Sequence, residues 1–276
     1  MKRCMRFINV QLEKVGNKIK SISFFKDKVN IVFLNEWKME ISKDTYTDFY
    51  LYEGKELDKE EIENIQEKDK INSIKRSAFK LINNRMYSYH ELKKRLLEKG
   101  YSQDLVVKVL EDLKEHKFID DNKLSLLLKE EYDEKLYGQE KIKHLLLNKG
   151  IDEKIVNQLE FDEEVELVKC QKLVEEYMRK NKNLSYSSLK NKAWNYLISY
   201  GYIQKIVTRA MTIVNQNVSK EDDKEKLLTL MDKYIIIHRV DILDKSQKEK
   251  LIKRYLAKGY SKNVIEECIK EVQWKN

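Results

Sequence analysis

Residues 88–121 read SYHELKKRLLEKGYSQDLVVKVLEDLKEHKFIDD. Ser88 and Glu91, three positions apart, form the pattern in which a serine and a glutamate satisfy each other's free N–H groups at a helix start. Leu92, Leu96 and Leu97 follow at helical spacing, and Gly100 stands where a helix ends in a left-handed residue. Ser102 is placed to cap a second helix with the apolar stripe Leu105, Val106, Val109, Leu110 and Leu113. The stretch predicts two short amphipathic helices hinged at Gly100.

The pattern returns. KKRLLEKGY ends at Tyr101, IKHLLLNKGI at Ile151, NYLISYGY at Tyr202 and IKRYLAKGY at Tyr260. Four and three positions before the glycine stand Leu96/Leu97, Leu146/Leu147, Leu197/Ile198 and Tyr255/Leu256. Five and six positions after it stand Leu105/Val106, Ile155/Val156, Ile206/Val207 and Val264/Ile265. Gly100, Gly150, Gly201 and Gly259 are spaced by 50, 51 and 58 residues. Matches on both flanks at four glycines mark a divergent tandem repeat. A third helix is expected before each pair, over 70–84, 121–137, 163–180 and 220–240. No such helix can bury its stripe alone, so the three-helix repeats should stack into an elongated, curved, mainly α array.

The repeats divide the chain into 69–119, 120–160, 161–217 and 218–276. The first 56 residues differ. Segments 19–25 and 29–34 are rich in β-formers around Phe25-Lys26-Asp27-Lys28 and read as a hairpin, with Trp37, Met39 and Ile41 alternating onto one face beyond it. So small a sheet is marginal in water and is expected to pack on the next helix or to stand as a mobile module. Asp58 and Glu61 repeat the capping box and start a short connecting helix over 57–68.

Proline is absent and glycine occurs only 7 times, as long helices and short connections require. Hydrophobic residues make up 41% and charged residues 37%, which suits extensive solvated helix faces. The net charge of +8 permits attraction to polyanions but rests on 55 basic against 47 acidic residues. Cys4, Cys170 and Cys268 are in no ligand spacing and read as reduced packing residues. The start, MKRCMRFINV, lacks the apolar region of a secretory signal, and no apolar run is long enough to span a bilayer. A cytoplasmic protein is expected.

Catalytic signatures are missing. His90, His116, His144 and His238 fall in no metal-binding motif, and no glycine-rich phosphate loop or nucleophile elbow is present. No enzyme and no cofactor are expected. Asp120-Asp121 reads as a helix cap, with a metal or partner contact as the sharper alternative. The basic residues form the candidate contact surface. Arg85, Lys93, Lys94 and Arg95 cluster in the first repeat, and Lys190, Lys192, Lys205 and Arg209 in the third. Lys253, Arg254 and Lys258 echo them in the fourth. At helical spacing such residues either meet phosphates or an acidic protein surface, or face water. Tyr87, Tyr89 and Tyr101 either line helix junctions or anchor an interface.

Three stretches carry a family resemblance covering about 71–214. They are residues 88–121, the series Gly138, Ile142, Leu146, Lys149, Gly150 and Ile151, and the weaker SYSSLKNKAWNYLISYGY. In content and order they resemble RecX, the bacterial regulators of the RecA recombinase. YEGKELDKEEIENI after the hairpin is similar to the N-terminal extension of longer members. The chain departs from the family after Asp121, where Asn122-Lys123-Leu124-Ser125 replaces an Arg-Phe-Ala-like step, and its fourth unit exceeds the short family form of three repeats. The resemblance implies a non-enzymatic regulator whose helical array lodges in the RecA–single-stranded DNA filament; a monomer is expected. It would limit filament extension, ATP hydrolysis, strand exchange and repressor self-cleavage. The alternative is a helical-repeat protein that binds single- or double-stranded nucleic acid directly through basic helix faces.

Overall fold

A computed structural model describes residues 17–215 and 222–275. Cys4 and the N-terminal decapeptide lie outside the described residues. The chain is mostly helical, with a small antiparallel sheet at its N-terminal side. It divides into two compact units. One runs to Leu124 and includes Lys149–Ile151; the other comprises Ser125–Asn148 and the chain from Asp152 onward.

In the first unit, β1 (Ile19–Phe24), β2 (Lys28–Phe33) and β3 (Lys38–Ser42) form a sheet in that order. The expected hairpin pairs Phe24 with Val29, and the Met39 segment adds the third strand, pairing Ile31 with Met39. Val29, Ile31, Phe33, Met39 and Ile41 alternate onto one buried face and share a core with Ile65 of the following helix. The sheet therefore packs on that helix. A short helix not foreseen, α1 (Lys43–Asp48), leaves β3 with Ser42 as its cap.

Helix α2 runs unbroken from Lys59 to Ile82, where a short connecting helix and a separate repeat helix were expected. Asp58 and Glu61 make the capping box, but Asp69 does not open a new helix. Its carboxylate accepts from the Ser42 N–H at 2.8 Å, the Ser42 hydroxyl at 2.7 Å and the Thr45 hydroxyl at 2.9 Å, so it ties the sheet to mid-helix. Without Gly or Pro nearby, nothing breaks the helix. Next come α3 (Tyr89–Glu98) and α4 (Gln103–Glu115). Ser88 and Glu91 form the expected capping box, whereas Ser102 sits at the cap position of α4 without a side-chain cap bond. Ile74, Ala78, Leu92, Leu96, Val106, Val109, Leu110 and Leu113 make one core among α2, α3 and α4.

Helix α5 (Asp121–Glu134) begins in the first unit. The second unit holds α6 (Gln139–Asn148), α7 (Glu153–Asn157), α8 (Glu163–Lys180), α9 (Tyr186–Ser199) and α10 (Gln204–Asn215). It continues with α11 (Asp222–His238), α12 (Lys245–Leu256) and α13 (Lys262–Lys275). One core lies among α8, α9 and α10, around Cys170, Val174, Ala193, Leu197 and Val207. Another lies among α11, α12 and α13, around Leu227, Met231, Tyr255, Ile265 and Cys268. At each glycine motif the residue four positions earlier is buried: Leu96, Leu146, Leu197 and Tyr255. Leu147, Ile198 and Leu256, three positions earlier, are exposed.

Candidate interaction surface

The helix-stop glycines turn out to have two roles. Gly100 has φ +86° and open space around it, so it serves the turn alone. At Gly150, Gly201 and Gly259 an added Cβ would overlap His90, Lys141 and Ser188 respectively. Each of these three turns docks on the start of an earlier helix. The Ser88 hydroxyl donates to the Lys149 carbonyl at 2.5 Å. The Gly138 N–H donates to the Tyr200 carbonyl at 2.8 Å and the Glu140 N–H to the Gly201 carbonyl at 3.0 Å. The Ser185 N–H donates to the Lys258 carbonyl at 3.0 Å, and its hydroxyl to the Gly259 carbonyl at 2.7 Å. Gly138 is required there, because a Cβ on it would strike the Gly201 backbone.

An acid completes each joint. The Tyr89 N–H donates to Asp121 at 3.0 Å, the Gln139 N–H to Glu166 at 3.1 Å and the Tyr186 N–H to Asp223 at 2.8 Å. In each case a carboxylate near the start of a later helix satisfies a free amide at the first turn of α3, α6 or α9. Of the Asp120-Asp121 pair, Asp120 caps its own helix at the Lys123 N–H. Asp121 belongs to the joint, and burial pushes its carboxyl above the usual aspartate range. Glu166 also contacts the Lys169 ammonium, which donates to Asp133 at 2.5 Å and to the Tyr137 carbonyl at 3.0 Å.

These joints leave the outer helix faces available, and the cations on them differ in standing. Lys94 and Arg95 are exposed on α3, opposite buried Leu92 and Leu96, and Lys93 is half-buried beside them. Arg95 lies 3.8 Å from Glu98, while Lys93 and Lys94 have no ion-pair partner among the described residues. Lys190 and Lys192 are exposed on α9. The other three are engaged. Arg85 stacks 3.7 Å over the Tyr87 ring and pairs with Glu91 at 3.3 Å, the glutamate that also closes the Ser88 box. Lys205 pairs with Glu163 at 2.5 Å and Arg209 with Glu164 at 2.8 Å, bracing α10 against the start of α8. Spacing alone did not separate the two groups, since their acids lie six to 45 positions away in sequence.

The tyrosines line junctions and bond there. The Tyr101 hydroxyl meets Ser77 at 2.8 Å and Ser73 at 3.2 Å, and the Tyr89 hydroxyl donates to Glu111 at 2.8 Å. Burial, with Glu111 close by, pushes the Tyr89 hydroxyl up to about 12. Cys170 and Cys268 are buried free thiols. His144 faces solvent beside Asn148. Among the described residues no His, Cys, Asp and Glu side chains gather as a metal site, and no helix is long and apolar enough to cross a membrane.

The family model described as RecX, first three-helix domain, matches residues 75–113, which span the end of α2 together with α3 and α4. The regulatory protein RecX of Clostridium tetani is 31% identical over 183 residues, covering 64% of this chain and 84% of that protein. The chain belongs to the RecX family. The regulatory protein RecX of Bacillus subtilis is 25% identical over 252 residues, 90% of this chain and 95% of that protein. A crystal structure of regulatory protein RecX covers 72% of this chain and 100% of its own, with a TM-score of 0.61 and 21% identity, so the helical array is the RecX fold. These RecX relatives are named regulatory proteins, which places the chain among regulators.

Proposed function

We propose that the chain is a cytoplasmic, monomeric, non-enzymatic regulator that docks on the RecA–single-stranded DNA filament and restrains its extension, ATPase, strand exchange and co-protease activity. The carrying observation is the RecX membership, which extends over most of the length of the relatives. The geometry supports it through repetition. In our reading the repeats expected over 69–119, 120–160, 161–217 and 218–276 would serve as four linked contact units, and linked weak contacts gain by effective concentration. The test adds purified protein to RecA filaments preassembled on single-stranded DNA and follows ATP hydrolysis and filament length. Both should fall, and no change at micromolar protein would overturn the reading.

A second reading, direct binding of nucleic acid through basic faces, is favoured by the exposed Lys94, Lys190 and Lys192 and the half-buried Lys93. Direct binding weakens steeply with salt and needs no RecA. Filament docking requires assembled RecA.

A further inference from the structure

The second unit carries two grooves of opposite character. One, of about 630 Å³, is lined by Asp133, Glu160, Asp162 and Glu166 with a single lysine, Lys129. The other, of about 560 Å³, lies where the end of α8, the start of α9 and α11 meet, and no carboxylate lines it. Arg179, Lys182 and Lys226 bring three cations to its rim over an apolar floor that includes Met178 and Leu230. In a chain with 47 acidic residues, three converging cations without a lining acid stand out from the mixed surface elsewhere.

The helix dipole does not account for this set. Arg179 lies in the last turn of α8, where a cation complements the dipole, but Lys182 lies past the cap residue Asn181 and Lys226 belongs to α11. Arg179 and Lys182 are exposed and enter no ion pair among the described residues. The half-buried Lys226 ammonium donates to the Leu184 carbonyl at 2.7 Å, a neutral partner. Burial holds it below the usual lysine range, with Asp223 opposing.

We propose that this groove binds a nucleotide of single-stranded nucleic acid, with the phosphodiester between Arg179, Lys182 and Lys226 and the base face on Met178 and Leu230. A cationic rim around an apolar floor asks for a ligand that is anionic at its edge and flat and apolar in its middle. An unstacked nucleotide has both parts. An acidic peptide brings only the charge, and a duplex keeps its base faces stacked. The inference deepens the direct-binding reading and does not depend on RecA.

The test titrates the full chain against a fluorescent oligothymidine across a salt series. Charge reversal by R179E/K182E should raise Kd by about tenfold or more and flatten the plot of log affinity against log salt by about 1.4, the value for two lost single-strand phosphate contacts. The milder R179Q/K182Q guards against loss of fold, checked by circular dichroism, and should act in the same direction. The charge-matched control K245E/K250E places acids near the start of α12, where the dipole favours them, and should shift Kd less than about twofold against that slope. Equal losses in test and control would mean bulk attraction and overturn the proposal, as would unchanged binding by R179E/K182E. Crosslinking from a 5-iodouracil strand should map to the peptide containing Met178, and a map confined to other peptides would overturn it too. The filament assay separates the two readings. A protein that binds strands through this groove yet leaves RecA unaffected sinks only the filament reading. Wild-type strand binding by a groove variant that still restrains RecA sinks only the groove.

Discussion

The Ser185 hydroxyl donates to the carbonyl of Gly259, 74 residues further along the chain, at 2.7 Å. The same oxygen accepts from the Ser188 N–H at 3.3 Å, so one hydroxyl caps α9 and fastens a distant turn to it. Ser185→Ala removes both bonds from a buried site and should cost about 2 kcal/mol. Urea denaturation should show a lower midpoint with an unchanged slope. Full wild-type stability would mean the joint contributes nothing.

The glycines should respond unequally. Gly100→Ala meets only the left-handed penalty, about 1–2 kcal/mol, because nothing lies within 4 Å of the added carbon. Gly201→Ala adds an overlap with the Lys141 backbone to a similar φ of +87°, so it should be clearly more damaging than Gly100→Ala. Melting temperatures of the pair measured together decide the point, and equal shifts would argue against a joint at Gly201.

Two tyrosines that look equivalent in sequence should also separate. Tyr202 donates to the Leu136 carbonyl at 2.8 Å, whereas the Tyr260 hydroxyl is buried with no hydrogen-bond partner among the described residues. Tyr202→Phe should cost about 1 kcal/mol, and Tyr260→Phe should be neutral or stabilising, because it relieves an unsatisfied buried hydroxyl. Chemical denaturation of both variants measures the contrast.

Asp121 gives a pH signature. Burial raises its carboxyl, outweighing the Tyr89 N–H and Lys114. A folded pKa above the unfolded value of about 3.8 means that stability falls as pH rises through it. Asp121→Asn keeps an acceptor for the Tyr89 N–H without the charge. It should match or exceed wild-type stability at pH near 7, with the difference vanishing below the ordinary aspartate range. Asp121→Ala loses the acceptor at every pH and should cost about 1 kcal/mol. Thermal melts across pH distinguish the three proteins.

The basic residues make a functional forecast. Reversing Lys93, Lys94 and Arg95 together should weaken RecA filament inhibition without unfolding the protein, since these side chains lie on the outer side of α3. Lys205→Ala and Arg209→Ala should instead lower stability only slightly, as solvent-screened surface pairs do, and leave inhibition intact. Unchanged inhibition by the triple variant would remove α3 as a contact face.

Much of the fold was readable because local rules and the repeat agreed. The capping boxes at Asp58 and Ser88, the apolar stripes and the strand alternation all lie within a few residues of one another. The continuity of α2 was not readable, because Asp69, where the first repeat was expected to begin, spends its carboxylate on Ser42 and Thr45, 27 and 24 residues away. The site was less legible for the same reason. Whether Lys205 faces solvent or Glu163 depends on how α10 meets α8, and the Arg179–Lys182–Lys226 groove collects residues from separate elements. Only the repeated glycines hinted at the joints.

The cap residues also bear on what each helix start can hold. Ser88, Gly138 and Ser185 each offer a donor to a later turn, but the corresponding residue of α12 is Asp244, whose carboxylate accepts from Ser246 and Gln247 at its own helix start. An ionised carboxylate has no proton to give a carbonyl and would repel one. A turn docking on the start of α12 would therefore lack the hydroxyl donor that Ser88 and Ser185 supply, and would be left with a main-chain N–H of the kind Gly138 uses. A single side chain at a helix start thus decides whether that start can hold a distant turn by its hydroxyl or only cap itself.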